Sequence, residues 1–257
     1  MPTPVEDPNK EAFLTRVRDA LGRTSPIMIT PDHPTLKTTL PRHEEKIRTT
    51  KARTEARRSQ NIARLESTAI AASWHMHRAS DAEIAANVVA EIASSIHAKN
   101  VVRTAEDIFK RVNTDATLRK RGVRSTVLAS GRVRRKEDLK EIAFKADMGI
   151  SGVEYAIAET ASCAVFQRKG NARIATLAPP VLALIVEESK ILETLDDFFA
   201  IVRFQFLTNR GRLPNYYNFI SGPSRTADIE QTLTVGVHGP GEVHMILLAD
   251  GLTSPQP

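Results

Sequence analysis

Between Ser221 and Pro240 the chain reads SGPSRTADIEQTLTVGVHGP, a stretch dense in groups able to hold an anion. Arg225 offers a planar fork of donors that matches a carboxylate or phosphate. The preceding NYYNFIS reads as a strand, Gly222-Pro223 as a turn and ADIEQTL as a helix. A strand that turns through glycine into a helix leaves free backbone N–H groups beyond the strand's C-terminal end, where anions bind. Ser224 and Thr226 also have a purely structural reading as helix caps, with Asp228 and Glu230 complementing the dipole in the first turn. Those acids would compete with an incoming anion, and the spacing is neither a P-loop nor a dinucleotide fingerprint. His238, between Gly236 and Gly239-Pro240, suits a crevice better than a core.

A second knot is GISGVEYAIAETASCAV, Gly149 to Val165. Two glycines precede a strand, and Glu159-Thr160 interrupts its apolar run before another strand begins. A glutamate at a strand end in a crevice can act as nucleophile or general base if its pKa is raised; otherwise it caps a hairpin or pairs with arginine. Cys163 reads as a small core residue, with nothing beside it to activate a thiolate. His75 and His77 share one face of a strand, whereas His238 and His244 meet only if folding brings them together. Neither pair has a carboxylate or thiolate at metal-ligand spacing, so no metal site is expected. The run Arg119–Lys136 carries eight basic residues and no acidic one. Without interleaved aromatics it reads as a solvated rim of a sheet rather than a nucleic-acid surface.

These groups must be positioned by the rest of a 257-residue chain, of which 41% is apolar, enough to bury a core. No run approaches the length of a membrane span, and the N-terminus lacks a secretory pattern, so a cytoplasmic protein is expected. One cysteine excludes an intrachain disulfide and a clustered-thiolate iron–sulfur site. The net charge of +6 is uneven: residues 1–136 hold 26 Lys/Arg against 15 Asp/Glu, and residues 137–257 hold 10 against 15. Asp7-Pro8 can start a helix that Gly22 ends, with Phe13, Leu14, Val17 and Leu21 on one face. A proline-rich connector follows, then a charged run, Arg42–Arg64, read as a solvated helix with a weak packing face. From about Ala72 strands and helices alternate. The strands are ASWHMHRA, NVVRT, STVLAS, GVEYAIAE, SCAVFQ, APPVLALIVEE, NYYNFIS and EVHMILLA. One helix buries Ile84, Val88, Ile92 and Ile96 behind a capping box at Ser80–Glu83, and KEDLKEIAFKAD and ILETLDDFFAIVRF are also helical. The apolar run Val181–Val186 indicates a parallel strand covered on both faces. The pattern predicts an α/β domain over 72–251, preceded by a helical extension over 1–71 and followed by a tail over 252–257.

GISGVEYAIAET together with SGPSRTADIEQTLTVGVHGPGEVHMILL resembles the LUD-domain family, over roughly residues 72–250, with LAPP at Leu177–Pro180 between the two knots. The resemblance implies a three-layer α/β sandwich around a mainly parallel sheet, similar to the sugar-phosphate isomerase and CoA-transferase superfamily. It also implies a part in oxidising L-lactate to pyruvate beside iron–sulfur partner proteins, whose 4Fe-4S clusters this chain could not ligate. The family's first motif falls on Glu159 and Thr160. Its second falls on Gly222, Ser224, Arg225, Thr226, Asp228, Glu230, Gln231, His238 and Gly239. Glu159 and Glu230 are then the candidate catalytic carboxylates, and the others line a site for a small carboxylate or other anion. The family usually has glycine after Glu-Thr, where this chain has Ala161. Were the backbone left-handed there, alanine would carry strain that glycine relieves. Two rival readings are a stand-alone transferase- or isomerase-like enzyme on an acyl or phosphorylated substrate, and a basic binding module using Arg42–Arg64 and Arg119–Lys136.

Overall fold

The computed structural model describes residues 8–22, 40–129, 136–166, 173–209, 216–227 and 233–250. The chain divides into two units, Met1–Thr39 and Leu40–Pro257. The first holds helix α1 (Pro8–Ala20), along which Phe13, Val17 and Leu21 are exposed. In the second, α2 (Leu40–Ala56) and α3 (Arg58–Ala71) lead into β1 (His75–Ala79), α4 (Ala82–Ser95), β2 (Asn100–Arg103), α5 (Ile108–Arg111), α6 (Thr114–Lys120), β3 (Arg124–Val127) and α7 (Lys136–Phe144). There follow β4 (Met148–Gly152), β5 (Tyr155–Ile157), β6 (Ser162–Phe166), β7 (Val181–Glu187), β8 (Ile191–Leu192) and α8 (Leu195–Thr208). β9 (Tyr217–Ile220), β10 (Arg225–Ala227), β11 (Leu233–Val235) and β12 (Glu242–Leu248) complete the order.

Six strands form one parallel sheet in the order β1-β12-β7-β4-β2-β3. Parallel pairing requires crossovers, which place helices on the sheet faces. Val181, Ala183 and Ile185 of β7 point into a core with α4 and α6, while Leu182, Leu184 and Val186 point into another with α3. That explains the unbroken apolar run of this strand. The second face is not covered by helices alone. A smaller sheet, β8-β5-β6-β9, supplies Ala156, Cys163, Val165, Ile191 and Ile220 to it. The far side of this smaller sheet packs on α2 and α8 through Ile47, Ile157, Phe166, Phe198 and Ile201.

Two local expectations change. On α4 the buried residues are Ala85, Ala86, Val89, Ala90, Ile92 and Ala93, while Ile84 is 41% exposed. Alanines let the helix lie close to the sheet, so the facing arc follows small residues rather than the large aliphatic stripe. Its cap is Asp81, which accepts the Ile84 N–H at 2.8 Å. The charged run of Arg42–Arg64 is two helices that break at Arg57, and α2 does pack: His43, Ile47 and Thr50 are buried. Two of those three are polar, which hid the face from a hydrophobic reading. Arg53 and Arg57 of α2 and its break then reach Asp197 and Glu193 at the start of α8.

One glycine decides a close approach. A Cβ at Gly149 in β4 would lie 2.1 Å from the Ala175 carbonyl oxygen, in the short turn Arg173–Thr176 that covers the strand. Gly149→Ala should therefore lower stability by about 2–3 kcal/mol, measured by urea denaturation. An unchanged midpoint would mean that the covering turn yields freely.

Candidate functional site

The two signature knots meet through strand pairing. Cys163 of β6 is opposite Ile220 of β9, so Ser162 and Ser221 are brought side by side with their Oγ atoms 2.6 Å apart. Thr160 Oγ1 donates to Ser162 Oγ at 2.8 Å, making a chain of three hydroxyls. Between them Ala161 is fully buried with φ 49°, the left-handed conformation that its family position suggested. Glu159 turns the other way: its carboxylate accepts the Leu195 N–H at 2.6 Å. It thus caps the first turn of α8 beside the Thr194–Asp197 capping box, where a negative charge favours the helix dipole. Any catalytic use of Glu159 would have to share it with that contact.

The anion cradle expected after Gly222 is not built as the residues suggested. Arg225–Ala227 is a strand, paired antiparallel with Leu233–Val235, so Ala227 and Leu233, the two ends of the helix expected across ADIEQTL, are strand residues instead. Asp228, Glu230 and Gln231 lie outside the described residues. Strand pairing occupies backbone groups that a helix N-terminus would have left free, and the Ser224 N–H is bonded to the Pro240 carbonyl at 2.8 Å. Ser224 and Thr226 are accordingly not helix caps. Gly222 has φ 131°, and a Cβ there would lie 2.6 Å from the Ala72 carbonyl oxygen. Arg225 donates to Ser73 Oγ. Exposed His238 donates its N–H to Ser224 Oγ at 3.3 Å, with Gly239 packed on the same serine. Thus Thr160, Ser162 and Ser221 form one group, Ser224, His238 and Gly239 another, and Arg225 faces the α3–β1 turn.

The histidines meet across β1 and β12. His75 is in register with His244, their rings stacked at 4.9 Å. His244 Nε2 is 2.8 Å from Glu242 Oε1, and its Nδ1 is 3.0 Å from His77 Nε2. With Nε2–H donated to the carboxylate, Nδ1 is left to accept from His77. Burial lowers the pKa of His244 to about 4 against the pull of Glu242, and burial together with His75 lowers that of His77. Among the described residues no three His, Cys, Asp or Glu are arranged to hold a metal ion. Cys163 is fully buried, which pushes its thiol far above the usual range.

Residues that the sequence reading passed over line a cavity of about 490 Å³ at the C-terminal ends of β2, β4 and β7. Glu106 is its half-buried carboxyl. It accepts from Ser151 Oγ at 3.1 Å, from the Gly152 N–H at 3.4 Å and from Thr104 Oγ1. Burial raises its pKa in spite of those donors. Across the cavity Glu187 holds Arg111 at 2.7 Å and also Lys190. The signal was present: polar residues lie at or just past the C-terminal ends of three parallel strands, at Thr104, Glu106 and Asp107, at Ser151 and at Glu187, where α/β sheets bind ligands.

The LUD domain family matches residues 62–248. Lactate utilization protein C of Shouchella clausii is 38% identical over 110 residues, 43% of this chain and 47% of that protein. Its Bacillus subtilis counterpart is 36% identical over 115 residues, 45% and 47% respectively. The stretches matched to these curated relatives thus cover about half of their length. A crystal structure of a DUF162 family protein from Deinococcus radiodurans has a TM-score of 0.51 at 19% identity, over 74% of this chain and 98% of that one, a likeness of fold.

Two outcomes follow from this geometry. Glycine at 161 would relieve roughly 1–2 kcal/mol of left-handed strain. Against that stand about 0.4–1 kcal/mol of unfolded-state entropy and about 0.8 kcal/mol for the buried methyl. Ala161→Gly should therefore sit within about 1 kcal/mol of the parent in a urea melt, whereas Ala161→Val should lose about 1–3 kcal/mol. The second outcome concerns His244, whose folded pKa lies below its unfolded value near 6.5. Its contribution is complete above that value and is lost as pH falls toward 4, by up to about 1.4 kcal/mol per pH unit. Denaturation midpoints measured from pH 7 to 4.5 should fall less steeply for His244→Gln than for the parent.

Proposed function

The chain belongs to the LUD domain family, and from that premise we propose that it serves lactate utilisation as a subunit without a redox centre of its own. It would work beside iron–sulfur proteins that oxidise L-lactate to pyruvate, and would bind a small carboxylate in its α/β body. The observation that carries this reading is the likeness to proteins named Lactate utilization protein C, at 38% and 36% identity. Oxidising the alcohol carbon of lactate releases two electrons and two protons. A lone, fully buried cysteine gives this chain no means of ligating a four-cysteine cluster to receive them, so the 4Fe-4S clusters are assigned to partner proteins.

A second reading is a stand-alone transferase- or isomerase-like enzyme on an acyl or phosphorylated substrate. One observation favours it: Glu106 is held in a cavity at the strand ends, with a raised pKa suited to acid–base work. Co-expression with the iron–sulfur proteins of a lactate-utilisation system separates the two. Under the first reading the chain co-purifies with them, and lactate oxidation by the mixture falls at least tenfold when it is left out. Turnover of an acyl or phosphorylated substrate by the isolated chain, without co-purification, would replace the first reading by the second.

A further inference from the structure

We propose that the cavity at the C-terminal ends of β2, β4 and β7 binds a short organic acid at both of its ends, the carboxylate on Arg111 and Lys190 and the adjacent oxygen on Glu106. The cavity's volume, about 490 Å³, is in the range of small-molecule sites. Its polar groups come from separate elements converging on one space: Glu106 ahead of α5, Arg111 at its end, Gly152 at the end of β4, Glu187 at the end of β7 and Lys190 just beyond. Such convergence of polar groups is what fixes a ligand's orientation.

Across the whole lining four carboxylates, Glu106, Asp107, Glu154 and Glu187, face two cations, so the excess of positive charge that suits a carboxylate is local to Arg111 and Lys190. Glu187 is shared by two cations, which together carry one charge more than the acid between them. Arg111 donates to Glu187 through Nη2, and its side chain is half exposed, so the guanidinium can turn further donors to a carboxylate. Of the remaining acids, Asp107 is matched by Lys110 at 2.6 Å, and Glu154 lines the wall. Glu106 is surrounded by hydroxyls that can either donate to it or accept from it. Ser151 Oγ reaches both Glu106 and the Gly152 carbonyl, and Thr104 Oγ1 is 3.2 Å from Ser151 Oγ. In the neutral form Glu106 can donate to a carbonyl or hydroxyl oxygen of the ligand. Ionised, it would repel the ligand's carboxylate. Burial raises the pKa of Glu106, which extends the neutral form upward in pH.

The inference rests on the lactate reading only for the choice of probes. L-lactate, pyruvate and inorganic phosphate are titrated separately into the full chain by calorimetry, with folding of each variant checked by circular dichroism. Pyruvate or lactate should bind, and Arg111→Ala should weaken that binding about ten- to over a hundredfold. Affinity should fall as pH rises through the ionisation of Glu106, and Glu106→Gln, neutral at every pH, should flatten that dependence. A folded parent that binds neither lactate nor pyruvate overturns the proposal. So does organic-acid binding that Arg111→Ala leaves intact, or that Arg225→Ala abolishes in its place. Co-purification with the iron–sulfur proteins is read out independently, so failure of one proposal is distinguishable from failure of the other.

Discussion

The interior strands β7 and β12 of the six-stranded sheet must be kept dry on both faces, and most of the structure answers to that demand. Leu182, Leu184, Met245 and Leu247 lie on one side, and Ala183, Ile185, Ile246 and Leu248 on the other, all buried. Parallel strands cannot turn directly into one another, so the chain between them builds the cover. α4 and α6 close one face. The other is closed by α3 and by a second sheet whose own outer face then needs α2 and α8. The charged N-terminal part of the body is thereby drawn into the fold: Arg53 and Arg57 of the α2–α3 junction meet Glu193 and Asp197 because α8 must sit where the second sheet leaves an apolar face.

The same arrangement separates the two ends of the main sheet. Ser224, Pro240 and the turn before β1 gather where β12 begins, so the long signature segment is tied by backbone and side-chain bonds to the entry of an interior strand. Ser162 and Ser221 link it to the Glu159 turn. Through Ser224 and Arg225 the second knot ties the end of the small sheet to the starts of β12 and β1 in the large one. The opposite ends of β2, β4 and β7 are left to short polar segments, and there the cavity around Glu106 opens. The two polar groupings thus lie at different ends of the sheet, and the cavity takes the C-terminal end, where open parallel sheets hold ligands.

Much of this was legible from residues alone. The uninterrupted apolar run at Val181–Val186 identified a two-sided parallel strand, and the strands beginning near His75, Asn100, Ser162 and Glu242 were readable by composition. The motifs at Glu159-Thr160 and Ser221–Pro240 identified the family, whose match over residues 62–248 bears that out. The departure at Ala161 raised the question of a left-handed backbone, and the observed φ of 49° answers it.

What only the tertiary structure decided are the relations between segments distant in sequence. The pattern ADIEQTL suits a helix locally, yet Ala227 and Leu233 at its two ends are partners in an antiparallel ladder, a pairing that local propensity does not decide. His75, His77, Glu242 and His244 form a bonded chain only because β1 and β12 are neighbours in register, which no spacing along the chain reveals. Glu106, Arg111, Glu187 and Lys190 face one cavity for the same reason: strand order sets which C-terminal ends adjoin, and that order is fixed by how the whole sheet is covered. Local sequence determined which elements form and to which family they belong. Long-range packing determined which of their polar residues meet.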